Sequence, residues 1–266
     1  MESTPPLIPV NPAKPVAGYI GGKRALAKRL VAQIAATPHS LYAEPFVGMG
    51  GVFLRRESRP DCEVINDWSA DVATFFRILQ RHYVAFLDML RFQLTTREGF
   101  ERLMKVDPDT LTDLERAARF LYLQRLAFGG KVSGRNFGAI YEGRARFDVT
   151  NLQPLLEALH ERLAGVVIER LRFADFIRRY DRPGTLFFID PPYWGNEGDY
   201  GPGMFSEADF RVLRDVLEGL QGRFIMTIND RPEVRQMFGG FTLTPVELNY
   251  RLSGPPTAAK ELIITG

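Results

Sequence analysis

Short apolar runs alternate with stretches of helical spacing along most of the chain. The runs have the length of buried strands, and between them apolar residues recur every three or four positions. The predicted strands are Cys62–Asp67, Val166–Ile168, Thr185–Ile189, Phe224–Ile228, Phe241–Leu243, Val246–Leu252 and Glu261–Thr265, and a further strand begins at Leu41. The predicted helices include Arg24–Ala35, 151–164, Phe173–Tyr180, one that Ser206 and Asp209 would cap, and one after Pro232. Strands that alternate with helices predict an α/β fold.

One part of the pattern is helical for longer than a single crossover between strands requires. From Val72 to about Ala127 the apolar positions keep helical spacing, with a break at Asp107-Pro108-Asp109. We therefore predict that residues 72–147 form an inserted, mainly helical subdomain between two parts of the sheet, 16–71 and 148–266. Residues 1–15 contain five prolines and little apolar pattern, which predicts a flexible tail.

The apolar run Thr185–Ile189 ends at Asp190-Pro191-Pro192-Tyr193. Neither proline can donate a ladder hydrogen bond, so the strand must end there in a stiff loop, and open α/β sheets bind ligands at that end of their strands. The Asp190 carboxylate and the Pro191 carbonyl could each accept a hydrogen bond from an exocyclic amino group, while Tyr193 could stack on a flat heterocycle. The alternative is an ordinary proline turn with Tyr193 as packing.

Glycine turns nearer the N-terminus indicate a nucleotide site. The strand from Leu41 leads into Gly48-Met49-Gly50-Gly51, and strand, glycine turn and helix open many nucleotide-binding units. Asp67 ends the next strand, where an acid commonly accepts hydrogen bonds from ribose hydroxyls; a helix N-cap is its alternative role. Gly21-Gly22-Lys23 precedes a helix whose N-terminus would attract negative charge, although an ordinary loop would look the same.

A basic, glycine-rich segment, residues 128–147, closes the helical region. Its cations are Lys131, Arg135, Arg144 and Arg146, against the single acid Glu142. Arginine matches guanine and asparagine matches adenine in the DNA major groove, so Arg135 and Asn136 could read bases while the other cations bind phosphate. The alternative is a solvated basic loop.

Composition narrows the classes of protein that fit. A chain of 266 residues that is 45% hydrophobic suits one large domain or a core with an insertion. The single cysteine, Cys62, excludes an internal disulfide, and with three scattered histidines it forms no metal-ligand cluster. Because no stretch approaches a membrane span and the N-terminus lacks a leader, we expect a cytoplasmic protein without a metal. The net charge of +2 is only weak support for a polyanionic partner.

Together, these motifs resemble those of the D12 class of N6-adenine-specific DNA methyltransferases, the class that includes Dam. The resemblance spans nearly the whole chain and rests on Tyr19-Ile20-Gly21-Gly22-Lys23, Glu44-Pro45-Phe46-Val47-Gly48-Met49-Gly50, Ile65-Asn66-Asp67, Arg135-Asn136 and Asp190-Pro191-Pro192-Tyr193. Their order is that of the family's alpha group. Tyr19 stands where the family usually has tryptophan, and Phe128-Gly129-Gly130 departs from Dam's recognition segment, so Dam's target sequence is not carried over.

The resemblance implies a Rossmann-like methyltransferase sheet formed by 16–71 and 148–266, with 72–147 as an inserted target-recognition domain. It implies S-adenosylmethionine as methyl donor, at the positions Tyr19, Lys23, Glu44, Phe46, Gly48, Gly50, Asp67 and Asp190. It implies a catalytic motif of Asp190, Pro191, Pro192 and Tyr193. The partner would be double-stranded DNA, contacted by Lys131, Arg135, Asn136, Arg144 and Arg146.

In the expected mechanism, Asp190 and the Pro191 carbonyl accept both amino hydrogens of an adenine flipped out of the duplex, and Tyr193 stacks on the base. Methylation of adenine in RNA is one alternative. A DNA-binding protein with a decayed methyltransferase fold is another, although the intact Asp190 and glycine turn argue against it. A nicotinamide oxidoreductase fits less well, because the third glycine of the dinucleotide fingerprint is missing.

Overall fold

The structure is a computed structural model that describes residues 5–138, 145–250 and 257–266. Its strands are β1 (Ile8–Pro9), β2 (Leu41–Glu44), β3 (Ser58–Arg59), β4 (Cys62–Asn66), β5 (Val167–Glu169), β6 (Thr185–Ile189), β7 (Arg223–Asn229), β8 (Thr242–Tyr250) and β9 (Thr257–Thr265). Its α-helices are α1 (Ala27–Ala36), α2 (Ala70–Arg81), α3 (Tyr83–Leu90), α4 (Arg97–Lys105), α5 (Asp113–Leu126), α6 (Val149–Arg162), α7 (Phe173–Tyr180), α8 (Glu207–Glu218) and α9 (Pro232–Met237). The α/β fold predicted from the sequence is confirmed.

Within the described ranges, seven strands form one sheet in the order β5-β4-β2-β6-β7-β9-β8. The first five are parallel to one another, and β9 runs antiparallel to both β7 and β8. From β2 the chain adds β4 and β5 on one side and then crosses to add β6 and β7 on the other. The boundary between β2 and β6 is therefore a topological switch point, where an open sheet leaves a crevice at the carboxyl ends of its strands.

Both faces of the sheet are covered, as the fully apolar central strand requires. Successive residues of β6 point to opposite faces: Phe188 packs with helices α1 to α6, and Phe187 packs with α7 to α9. Each of these two side chains is buried, which contributes about 1.5–3 kcal/mol relative to exposure. On α8, Phe210, Leu213 and Leu217 form the buried stripe, and the predicted capping box of Ser206 and Asp209 starts the helix.

Three local predictions differ from the structure. The glycine turn leads into a single 3-10 turn, Phe53–Arg55, rather than an α-helix, because the chain returns to extended backbone at Arg56, whose buried guanidinium pairs with Glu63. Strand β8 is continuous through Pro245, where two strands, Phe241–Leu243 and Val246–Leu252, were predicted. The proline is tolerated because β8 lies at the sheet edge. The predicted end at Leu252 lies outside the described residues.

The third difference concerns the N-terminal tail. Residues 1–4 lie outside the described part, but Ile8–Pro9 pairs with β3, and Ala13 and Val16 are buried in the core. This differs from the flexible tail predicted over residues 1–15. The boundaries of the inserted subdomain, 72–147, stay a prediction; one continuous hydrophobic cluster joins its helices to the sheet face beneath them. No helix of the described ranges is long and apolar enough to cross a membrane.

Candidate active site

A cavity of about 350 Å³ opens at the switch point, beyond the carboxyl ends of β2, β4 and β6. Its walls come from the segment before α1, from the glycine turn, and from the loop after β6. Of the described residues, six aromatic ones line it: Tyr19, Phe46, Trp68, Phe188, Tyr200 and Phe205. The described charged residues in its lining are Lys23, Arg24, Glu44, Arg55, Asp67, Arg125 and Asp190. The cavity is within the size range of small-molecule sites and suits a ligand with a flat ring and polar groups.

Asp67 and the glycine turn, which the sequence paired only by spacing, are directly bonded. The Gly48 amide donates to Asp67 Oδ2 at 2.9 Å, and the Ser69 amide donates to Oδ1 at 2.8 Å. Burial raises the pKa of Asp67 to about 6, although these two amides lower it. Ser69, not Asp67, is the N-cap residue of α2, so the carboxylate is left to face the cavity.

Tyr19 lies against the same turn and requires a glycine there. A Cβ added to Gly48 would lie 3.0 Å from the Tyr19 ring, and one added to Gly50 would lie 2.8 Å from Leu54. Gly50 does not line the cavity itself but keeps the turn tight. Burial raises the pKa of the Tyr19 hydroxyl, which keeps it neutral.

The Asp190 side chain is held by one of its two oxygens. The Lys23 ammonium lies 2.9 Å from Oδ1, and the Thr227 hydroxyl donates to the same Oδ1 at 2.9 Å. No other residue in the described ranges donates to Oδ2, and one fifth of the side chain is exposed. Burial raises the pKa of Asp190, which the adjacent Lys23 lowers and Glu261 raises. The carboxylate therefore offers Oδ2 to a ligand.

The rest of the Asp-Pro-Pro-Tyr loop is fixed by residues that are distant in sequence. Pro191 and Pro192 are buried, and Pro192 lines the cavity. The Trp194 amide donates to Asn229 Oδ1 at 2.9 Å, and Asn229 Nδ2 returns a bond to the Trp194 carbonyl at 3.0 Å. The Tyr193 hydroxyl contacts Lys23 and Glu261 rather than the cavity, so the stacking predicted for its ring stays a prediction.

Glu44 and Phe46, at the end of β2, form another wall. Burial raises the pKa of Glu44 to about 8, while a 2.7 Å hydrogen bond from the Tyr42 hydroxyl lowers it. Phe46 packs against Phe173 and Phe205, with ring centres 5.5 and 5.8 Å away. Both predicted positions therefore line the cavity, Glu44 as an acid that holds its proton at neutral pH and Phe46 as an apolar face.

The basic segment after α5 presents only some of its predicted contacts to solvent. Lys131 and Asn136 are exposed, and Arg146 is partly exposed. Arg135 instead turns inward: its Nη2 donates to Gln124 Oε1 at 2.9 Å and its Nε to the Lys131 carbonyl at 3.2 Å. These contacts use the Arg135 guanidinium to hold the segment in place, and they do not support its reading of bases. Arg144 lies outside the described residues.

Sequence reasoning missed several residues of the site. Tyr200 covers the cavity: its ring lies 6.0 Å from that of Tyr19, and its hydroxyl donates to the Ile20 carbonyl at 3.2 Å. Tyr200 belongs to none of the motifs that the sequence indicates. Thr227 and Glu261 were missed because neither lies in a motif. Each reaches the site through the pairing of its strand with a neighbouring strand, which the sequence alone does not show.

The residues present fit S-adenosylmethionine. An acid with both oxygens anchored by amides faces the cavity for ribose hydroxyls, a glycine at position 48 leaves no Cβ against the aromatic wall, and cationic side chains lie nearby for a carboxylate. Among the described residues, no cluster of histidine, cysteine and acidic side chains could hold a metal ion. Fold and cavity together define a Rossmann-like methyltransferase that takes S-adenosylmethionine as its methyl donor.

The chain belongs to the D12 class of N6-adenine-specific DNA methyltransferases, whose sequence profile matches residues 19–252. It is 23% identical to the type II methyltransferase M.CviBI of Paramecium bursaria Chlorella virus NC1A, over 90% of this chain and 91% of that one. It is 25% identical to the type II methyltransferase M1.LlaDCHI of Lactococcus lactis subsp. cremoris, over 95% of each chain. These findings confirm the predicted family and activity: the protein methylates the N6 amino group of adenine in DNA.

Two further similarities cover the fold or part of the sequence. The chain is 28% identical to a DNA N-6-adenine-methyltransferase of Escherichia phage P1, over 76% of this chain and 28% of that protein. Among solved structures, a putative RNA methyltransferase of Pyrococcus horikoshii aligns with a TM-score of 0.39 and 9% identity, over 90% of this chain and 79% of the other.

Proposed function

We propose that this methyltransferase acts on an adenine flipped out of double-stranded DNA, with Asp190 and the Pro191 carbonyl as the two acceptors of its amino group. The observation that carries the proposal is the asymmetric bonding of Asp190: Lys23 and Thr227 bind Oδ1, whereas no residue in the described ranges donates to Oδ2 of this partly exposed side chain. A carboxylate fixed in this way can accept a hydrogen bond from a substrate without reorganising.

The N6 lone pair of adenine is delocalised into the ring, so the amine is a weak nucleophile. Accepting both amino hydrogens at Asp190 and Pro191 favours a pyramidal nitrogen and localises that lone pair. S-adenosylmethionine, when bound, supplies an electrophilic methyl group on a sulfonium. As positive charge develops on N6, the Asp190 carboxylate stabilises it electrostatically, and the stiff diproline loop holds the acceptors in place.

For the methyl donor, we propose that Asp67 accepts hydrogen bonds from the ribose and that Tyr19, Phe46 and Gly48 form the wall around the nucleoside. Arg24 and Arg55, which line the same cavity, would pair with its carboxylate. Tyr200 bridges to the segment of Tyr19 and would exclude water from the covered cavity.

For DNA, we propose that Lys131 and Arg146 contact phosphate, together with Arg144, and that Asn136 reads a base edge. Lys131 and Asn136 are exposed. The start of their segment is bonded to the cavity lining, since the Ile20 amide donates to the Gly130 carbonyl at 3.0 Å. Because phosphate contacts dominate such binding, the affinity for DNA would fall as the salt concentration rises.

We also propose that the protein is located in the cytoplasm.

Replacement of Asp190 tests the proposal. We expect Asp190→Asn to lower the single-turnover rate on duplex DNA at least about 10³-fold, because the amide cannot stabilise the developing charge, while DNA affinity stays within a few-fold. The control is Asp175→Asn, which changes an exposed acid on α7 that lies outside the cavity. Near-normal turnover by Asp190→Asn would overturn the assignment. Methyl transfer to RNA without any transfer to duplex DNA would overturn the choice of duplex DNA as the substrate.

A further inference from the structure

Lys23 lies in a buried cluster that the proposed mechanism does not fully use. The side chain is 2% exposed, and its ammonium lies between two carboxylates: Asp190 Oδ1 at 2.9 Å and Glu261 Oε2 at 3.8 Å. It also donates to the Tyr193 hydroxyl at 2.8 Å. Three distant parts of the chain therefore meet at one cation.

Glu261 completes this cluster from the antiparallel strand β9. Its side chain is 1% exposed, and Oε1 accepts the hydrogen bond of the Tyr193 hydroxyl. The donors thus run in one direction, from the Lys23 ammonium to Tyr193 and from Tyr193 to Glu261. One carboxylate holds both the cation beside Asp190 and the tyrosine of the catalytic loop.

The sheet register explains how Glu261 reaches the site. In the pairing of β9 with β7, Glu261 lies opposite Asn229, the residue whose side chain accepts a hydrogen bond from the Trp194 amide. Because β9 runs antiparallel, its early residues lie beside the carboxyl ends of the parallel strands, where the Asp-Pro-Pro-Tyr loop begins. The same strand pair therefore fixes this loop at Trp194 and at Tyr193.

Charge makes this arrangement consequential for Asp190. With Glu261 present, the Lys23 ammonium is shared between two acids; without it, Asp190 would be the remaining described carboxylate beside Lys23, and the partly buried Tyr193 hydroxyl would lose the acceptor at Glu261 Oε1. Glu261 raises the pKa of Asp190, while the adjacent Lys23 lowers it. Among the described residues, the contacts of Glu261 and its cation include the titratable groups Lys23, Asp190 and Tyr193.

We propose that Glu261 is a positioning residue for methyl transfer, which holds Lys23 and Tyr193 so that Asp190 keeps one oxygen directed at the substrate amine. This inference rests on the proposed function of Asp190. It assigns Glu261 no contact with adenine or with the methyl donor.

The test compares Glu261→Gln with the conservative Glu261→Asp, at saturating methyl donor and duplex DNA. For Glu261→Gln we expect a single-turnover rate about 10- to 100-fold below wild type, as for a misplacement of about 1 Å, with donor affinity within about threefold. The acid limb of its pH–rate profile should shift to lower pH, since the charge that raises the pKa of Asp190 is gone. Glu261→Asp keeps the charge but shortens the reach, so its rate should fall while the acid limb stays in place.

Folding is checked by near-ultraviolet circular dichroism and thermal unfolding, and each folded variant decides the question by itself. A wild-type rate and an unshifted acid limb in folded Glu261→Gln would overturn the proposal; if only Glu261→Asp folds, a wild-type rate there would overturn it. Failure of the proposed function is separate, because it would appear as activity in Asp190→Asn whatever the Glu261 variants do.

Discussion

At the scale of single residues, three carboxylic acids around the cavity differ in the contacts that oppose the effect of burial on their pKa. Burial raises the pKa of each, but Asp67 also accepts two amide hydrogen bonds and Asp190 lies beside a lysine, whereas Glu44 has one tyrosine hydroxyl. Glu44 therefore holds its proton to about pH 8, and Asp67 loses its proton near pH 6. Of these two acids, Asp67 is the one whose charge changes as the pH falls from neutral into mild acid.

Affinity for S-adenosylmethionine should consequently fall in mild acid. The ribose hydroxyls would donate to the ionised form of Asp67, which is present above its pKa of about 6 and lost as the pH falls through that value. We expect the dissociation constant, measured by calorimetry, to be up to about tenfold higher at pH 5 than at pH 7.5. Asp67→Asn should bind more weakly at both values and show little difference between them; an equally steep pH dependence in Asp67→Asn would exclude Asp67 as the titrating group.

At the scale of elements, the sequence was informative wherever a residue type constrains its own backbone. Prolines 191 and 192 end β6 by their chemistry, and glycines 48 and 50 adopt left-handed backbone that other residues rarely adopt, so both turns could be predicted. The direction of Arg135 could not be, because it depends on Gln124, whose amide also bonds the Gly18 and Gly130 carbonyls at 2.8 Å. The same holds for Glu261, which only strand pairing brings to Tyr193.

Within the basic segment, neighbouring residues should therefore give different phenotypes. Arg135→Ala removes a partly buried bond to Gln124, so we expect the free energy of unfolding to fall by about 1–2 kcal/mol with the same sequence still methylated. Exposed Asn136→Ala should leave stability nearly unchanged and relax the sequence preference, as loss of a base contact worth about 1–3 kcal/mol would. Urea unfolding and sequencing for N6-methyladenine in a methylation-free host measure both effects. A changed methylation pattern in a fully stable Arg135→Ala would show instead that Arg135 reads bases.

At the scale of the whole molecule, a buried ionic group joins helix α6 to the sheet. Glu63 on β4 binds Arg162, near the end of α6, through two hydrogen bonds of 2.7 Å, and Arg56 lies 2.8 Å from Glu63 Oε1. The two guanidinium groups lie over the rings of Phe53 and Tyr42, at 4.2 and 3.7 Å from their centres. Helix α6 is the element by which the chain returns from the basic segment to β5, so this group fixes the end of α6 against β4, the neighbour of β5 in the sheet.

Removal of Glu63 should consequently cost far more than removal of a surface acid. Glu63→Ala leaves two buried guanidinium groups without their carboxylate, and we expect the free energy of unfolding to fall by about 3–5 kcal/mol in urea titrations. The matched control is Asp113→Ala, which breaks the exposed 2.6 Å pair with Arg77 and should cost under about 1 kcal/mol. Because Glu63 does not line the cavity, the folded fraction of Glu63→Ala at low temperature should bind S-adenosylmethionine with normal affinity. Equal costs for the two variants would mean that the buried group stabilises the fold no more than a surface pair does, and that hydrophobic packing alone holds α6 on the sheet.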